Sequence, residues 1–314
     1  MFSAFPITDP TLIFFIVMLI ILFAPIVMGK LRIPHIIGMV LAGVAVGEYG
    51  FNILKRDDSF ELFGRVGLYY IMFLAALEMD SGALKRNKYR FMIFGLTTFA
   101  VPFVLIYLLG TTFLNYTTAA SLLLATLMAS NTLIAYPIVG RYGLQRNPAV
   151  SLSVGSTMIA LFLSLVVLAM IVAAHNEDGG SLFWLWFVLK VVGFCGGMAF
   201  FVPRLTRWFL RRYSDAVMQF IFVMAILFLS ASVSSSIGLE GIFGAFLAGL
   251  ILNRYVPRLS PLMNRIEFIG NAIFIPYFLI GVGMLINLRL LFQGKGIVWV
   301  VLGITLVGTL GKAI

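Results

Sequence analysis

Long apolar runs separated by short polar connections repeat from one end of the chain to the other. A helix needs about 20 mostly apolar residues to cross hydrocarbon. Eleven runs approach or reach that length, at roughly 10–29, 33–48, 64–79, 91–110, 118–139, 148–174, 181–203, 216–236, 239–253, 267–287 and 297–314. The second, third and ninth are short and contain glycine, which predicts tilted, broken or re-entrant helices. The first, Thr11–Met28, lacks a basic leader and a small-residue cleavage site, so it reads as a retained helix and not as a signal peptide. The connections leave no room for a soluble domain, and residues 1–314 read as one transmembrane domain.

Composition sharpens this picture. Hydrophobic residues make up 61% of the chain and charged residues 11%, against about 25% charged in soluble domains, and the mean hydropathy is +1.07. Soluble enzymes, disordered chains and nucleic-acid binders are excluded. The net charge of +10 is a topology signal. Fifteen of the 22 basic residues fall in alternate loops beginning with Lys30 and Arg32, five fall in the other loops, and Lys190 and Lys312 lie inside spans. Basic loops stay cytoplasmic, so the expectation is a multi-pass protein of the inner membrane with its N-terminus outside. The segment Arg204–Tyr213, RLTRWFLRRY, reads as an amphipathic extension at the cytoplasmic interface. A single cysteine, Cys195, and two distant histidines, His35 and His175, argue against a disulfide framework and a metal cluster, and no cofactor is expected.

Inside hydrocarbon a polar side chain persists only when protein or a wet cavity satisfies it. Ser130, Asn131 and Thr132 interrupt an apolar run, with Pro137 close behind. This pattern predicts a discontinuous helix whose freed backbone groups can bind an ion or substrate, or else ordinary hydrogen bonding between helices. Gly155, Ser156 and Thr157 on the next span suit either close packing or a second wall of the same site. Lys312, deep in the last span, requires a carboxylate, carbonyls or water. Glu78, Asp80 and Glu240 sit at span ends, where capping or gate-lining is favoured over carrying protons. No hydrolase, nucleotide-binding or zinc-protease motif is present, and the chain is not read as an enzyme.

Several segments together resemble the monovalent cation:proton antiporter superfamily, in the branch of bacterial Na+/H+ exchangers and Kef-type K+ efflux proteins. They are Lys30–Gly47 (KLRIPHIIGMVLAGVAVG), Gly67–Asp80 (GLYYIMFLAALEMD), Gly238–Leu250 (GLEGIFGAFLAGL), Pro276 with Gly281 and Gly283, and Gly311-Lys312. The resemblance implies an all-α membrane protein with the NhaA-type inverted-repeat antiporter fold, forming a homodimer and exchanging a monovalent cation for protons by alternating access. It also implies further helices, and any cytoplasmic domain, beyond Ile314.

The chain departs from that family where its ion chemistry resides. The acidic pair on the sixth helix corresponds to Ala160 and Leu161, no Asp or Glu occurs between Asn147 and Ala174, and the broken-helix acid of some relatives corresponds to Asn131. Ser130, Asn131, Thr132, Ser156 and Thr157 can offer neutral oxygens to an ion but cannot titrate near neutral pH. Lys312 is then the proton-linked or structural charge. The resemblance implies Na+ or K+:proton antiport. The missing acids leave open a transporter of a different solute, anions among the candidates, a passive channel, or a membrane sensor that no longer transports.

Overall fold

A computed structural model describes residues 6–79, 88–130, 139, 142–144, 147–175, 181–257, 259–289 and 297–313. Its helices are α1 (Pro10–Lys30), α2 (His35–Val46), α3 (Asp58–Glu78) and α4 (Lys88–Leu108, running into a π turn at Leu109–Phe113). Then follow α5 (Thr118–Ala129), α6 (Pro148–His175), α7 (Ser181–Arg212), α8 (Ala216–Ser236) and α9 (Gly241–Leu252). The series ends with α10, in two pieces, Pro261–Ile269 and Ile275–Met284, joined by a π turn at Gly270–Phe274, and α11 (Ile297–Ala313). Seven of these are long and apolar enough to cross a membrane, and α2, α5, α9 and α11 are shorter apolar helices. This is an all-α membrane protein.

Helix starts follow local capping chemistry. The Asp9 carboxylate accepts from Thr11 N at 2.8 Å with Pro10 in the first turn, and Asp215 caps α8 through Met218 N at 2.9 Å. The third span is not short, as its hydropathy suggested. It begins at Asp58, and its first turns carry Glu61 and Arg65, an i,i+4 ion pair that hides helical residues from an apolar count. Arg204–Arg212, read from sequence as an amphipathic extension, continues α7 as one helix. The π turn in α10 has a local cause. Pro276 has no N–H to give and its ring crowds the carbonyl four residues back, so the ladder widens and Ile275 N reaches Gly270 O.

The chain divides into two compact units. One contains the chain up to Ile71 together with Asn264–Val298. In it α2 and α10 touch backbone to backbone, because a Cβ on Gly43 would lie 2.1 Å from Ile280 O and one on Gly283 2.1 Å from Val40 O. Tyr277 packs among Phe14, Phe60 and Phe63, and the buried Tyr70 hydroxyl donates to Ile266 O at 2.9 Å. The other unit contains Met72–Met263 and the chain from Trp299. There α8 and α9 meet at Gly244, where Ser230 Oγ donates to Gly244 O at 2.8 Å. Gly95 of α4 faces Ile159 of α6, and Gly311 of α11 faces Pro102 of α4.

Candidate functional site

The fifth apolar run does not stay helical. α5 stops at Ala129 after 12 residues, and Ser130 turns extended at φ −63° and ψ 134°. The stop falls at the first residue of the polar triplet. Hydroxyl and amide side chains compete with the backbone for its own hydrogen bonds and so favour helix ends. Asn131, Thr132 and Pro137 lie outside the described residues. A helix end leaves its last carbonyls unsatisfied and carries partial negative charge, and here that end is embedded in an apolar run.

Two neighbours approach carbonyls at this helix end. Ser164 Oγ of α6 points to Thr126 O at 3.5 Å, the same oxygen that accepts from Ser130 N at 3.1 Å. Lys312 Nζ of α11 stands 3.4 Å from Ser130 O. That distance is long for a hydrogen bond, so the contact is mainly electrostatic, a cation against the negative end of a helix dipole. Lys312 is 15 residues along α11, about 22 Å from its start, while the α5 stop comes about 18 Å from the start of that helix. Among the described residues no carboxylate stands within ion-pairing distance of Lys312. The Ser130 carbonyl, one residue past the end of α5, is the group that faces the ammonium.

Ala160 and Leu161, expected at the places of an acidic pair, are both buried, Ala160 fully and Leu161 at 7% exposure. Ala160 packs with Phe99 of α4 and Ala129 of α5, flanked by Phe103, Leu163 and Val167, and the Phe99 and Phe103 rings stack at 5.3 Å. This apolar cluster touches the last helical residue before the break. Ser156 and Thr157 are buried near the start of α6, and both hydroxyls donate to Ser153 O at 2.8 Å. Their protons serve their own helix, and their lone pairs remain the groups that could face a ligand. The structure therefore brings Ser130 to Lys312 and Ala160 to Ala129, while Ser156 and Thr157 bond within α6.

Glu78 closes α3, Glu240 is the exposed N-cap residue of α9, and Asp80 lies outside the described residues. Lys190 is exposed on α7. Among the described residues no group of three His, Cys, Asp or Glu could hold a metal. Two contributors had not been picked out from sequence. Ser164 could have been found, since it lies seven residues beyond Thr157 and four beyond Ala160, on the same face of α6. Phe99 carries no such signal, being one aromatic residue among many.

A model of the sodium/hydrogen exchanger transmembrane family matches residues 18–314. The Na(+)/H(+) antiporter NhaS5 of Synechocystis is 36% identical over 293 residues, covering 92% of this chain and 41% of that protein. The probable Na(+)/H(+) antiporter 3 of Methanocaldococcus jannaschii is 30% identical over 288 residues, covering 90% of this chain and 73% of that protein. The solved structure of the sodium proton antiporter MjNhaP1 from the same archaeon superposes with a TM-score of 0.69 at 18% identity, over 96% of this chain and 75% of that one. The chain thus spans about two-fifths of the length of NhaS5. At 18% identity the structural likeness speaks for the fold, while the family match spans nearly every helix, including both α5 and α11. This chain belongs to the sodium/hydrogen exchanger family of membrane transport proteins.

Proposed function

We propose that the protein is a monovalent cation:proton antiporter that works without the acidic pair, using the end of α5 as its cation site and Lys312 as its proton-exchanging group. The observation that carries this reading is the Lys312 ammonium held against the carbonyl that the α5 stop releases. A tethered ammonium and a free Na+ or K+ are rivals for the same oxygens. With Lys312 protonated, its own charge satisfies the helix end. When it yields its proton to water on the open side, the carbonyl and the hydroxyl oxygens of Ser130 and Thr132, with the Asn131 amide oxygen, can take up a cation. Cation entry on one side then accompanies proton release, and the reverse exchange occurs after the site opens to the other side. One positive charge replaces another, so the exchange is one for one. The relatives named as antiporters support the reading, and an inner-membrane homodimer with its N-terminus outside completes it.

The test is transport. In liposomes with an imposed pH gradient and a trapped pH-sensitive dye, Na+ or K+ is expected to collapse the gradient. Lys312→Gln is expected to reduce the rate at least tenfold while the protein remains folded. Unchanged cation-driven proton flux in that variant would overturn Lys312 as the coupling group. The apolar cluster of Phe99, Ala129 and Ala160 where acids are absent favours a second reading, a membrane sensor that retains the fold without flux. Absence of any cation response in the wild-type chain, with the protein folded and inserted, would select it.

A further inference from the structure

The last three turns of α7 carry Arg204, Arg207, Arg211 and Arg212, with Trp208 among them. At 100° per residue these five side chains fall within an arc of about 140°, so they share one face. They line an open pocket of about 480 Å³, with no acidic residue in its wall. Among the described residues none of the four arginines pairs with a carboxylate. Two of them are held in place. The Arg204 guanidinium lies 3.5 Å over the Phe200 ring and donates to Phe200 O at 2.7 Å, and Arg207 donates to the Tyr255 hydroxyl at 3.3 Å. Arginines fixed by aromatic and neutral partners keep donors free for an anion in a planar fork that matches phosphate oxygens.

The same face changes character toward the middle of the helix. Phe200 and Phe201 are exposed, and beyond them Gly193, Gly196 and Gly197 each have open space where a side chain would be. A cationic pocket with an indole in its wall, followed along the same face by open helix surface at Gly193, Gly196 and Gly197 and by exposed phenylalanines, has the layout of a phospholipid: phosphate above, glycerol beside the indole, acyl chain along the helix. We infer that this face of α7 is a binding site for an acidic phospholipid, its phosphodiester held by Arg204, Arg207 and Arg211 and one acyl chain lying along the open surface at Gly193, Gly196 and Gly197. A second copy of the chain fits less well, because a two-fold axis along the membrane normal would set identical arginine clusters against each other at the same depth. The site stands apart from Ser130 and Lys312 in its residues and chemistry, so its test is independent of transport.

The experiment is thermal unfolding of the purified full chain in a neutral detergent, with dioleoyl phosphatidylglycerol, dioleoyl phosphatidylcholine or inorganic phosphate added at equal concentration. The expected result is a Tm rise of about 5 °C with phosphatidylglycerol alone, at least halved in Arg207→Gln/Arg211→Gln. Equal rises with phosphatidylcholine would mean a surfactant effect, and equal rises with phosphate a free-anion site; either overturns the proposal, as does no rise at all. A rise that grows with protein concentration would assign the face to a second copy and overturn it too. If the double arginine variant does not fold, Gly197→Leu puts a side chain on the open glycine surface without touching a charge. It should weaken the phosphatidylglycerol effect while leaving the protein's Tm without lipid within about 2 °C, and an undiminished effect would remove the acyl-chain half of the site.

Discussion

At Gly43 the chain leaves no room for a side chain, since a methyl group there would sit 2.1 Å from the Ile280 carbonyl oxygen and 3.0 Å from Gly283 Cα. The obstacle is backbone, which cannot rotate away as a side chain can, so α2 and α10 would have to separate. Gly303 in the middle of α11 is the opposite case, with nothing within 4 Å of where its Cβ would be. Gly43→Ala is therefore expected to lower stability by about 1–3 kcal/mol through overpacking. Gly303→Ala should raise it by about 0.5–1 kcal/mol, because alanine has less backbone freedom to lose in a helix. Thermal or denaturant unfolding in detergent checks both. Equal responses from the two would show that the α2–α10 approach is looser than its geometry indicates. Gly43 and Gly283 belonged to segments that suggested the family from sequence, but their pairing across two helices was not legible, because spacing along one helix says nothing of the helix it meets.

Asn253, just past α9, ties the end of one helix to another. Its amide nitrogen donates to Ala76 O at 3.4 Å, to Met79 O at 2.9 Å and to Leu77 O. The last turn of α3 has carbonyls with no partner in its own helix, and the Asn253 amide reaches two oxygens of that turn and one just past it. Asn253→Ala is expected to cost about 1–2 kcal/mol and to speed hydrogen exchange at the C-terminal end of α3. Asn253→Asp should cost more, because it turns an acceptor with negative charge toward carbonyl oxygens. If the aspartate variant proved as stable as the wild type, the cap would be disproved. At this scale much could be read from sequence. Among the described residues a helix stands at each of the eleven apolar runs, seven of them long and apolar enough to cross a membrane, and α5 stops before Ser130, where polar side chains announced a stop. The first turns of α3 were missed because Asp58, Glu61 and Arg65 are charged, which hydropathy scores as loop, although Glu61 and Arg65 pair one helical turn apart. The π turns of α4 and α10 have no periodic signature. Only Pro276 hints at the second, and it fixes where a hydrogen bond is missing without saying how the ladder recovers.

For the molecule as a whole, the side on which each loop lies is a single parity set by the number of crossings, so a contact between loops tests the count. In the first unit, Ile7 N donates to Ile53 O at 2.9 Å, joining the segment before α1 to the connection between α2 and α3, as two crossings require. In the second, Arg207 at the end of α7 reaches Tyr255 after α9, again two crossings apart. Both contacts agree with the alternation of basic residues, in which the Lys88 and Arg204–Arg212 regions fall on one side and Lys55 on the other. The absolute sense rests on charge alone: fifteen basic loop residues against five should hold the first set in the cytoplasm. Cys195 is the one cysteine of the chain, so Cys195→Ser gives a background on which single cysteines report their side. Lys55→Cys on that background is expected to react with a membrane-impermeant maleimide added to intact cells, and Lys88→Cys only after the membrane is opened. The reverse pattern would place the N-terminus inside and turn the α7 arginines outward. Equal labelling of both in intact cells would mean that the chain inserts in two orientations, which the charge imbalance opposes.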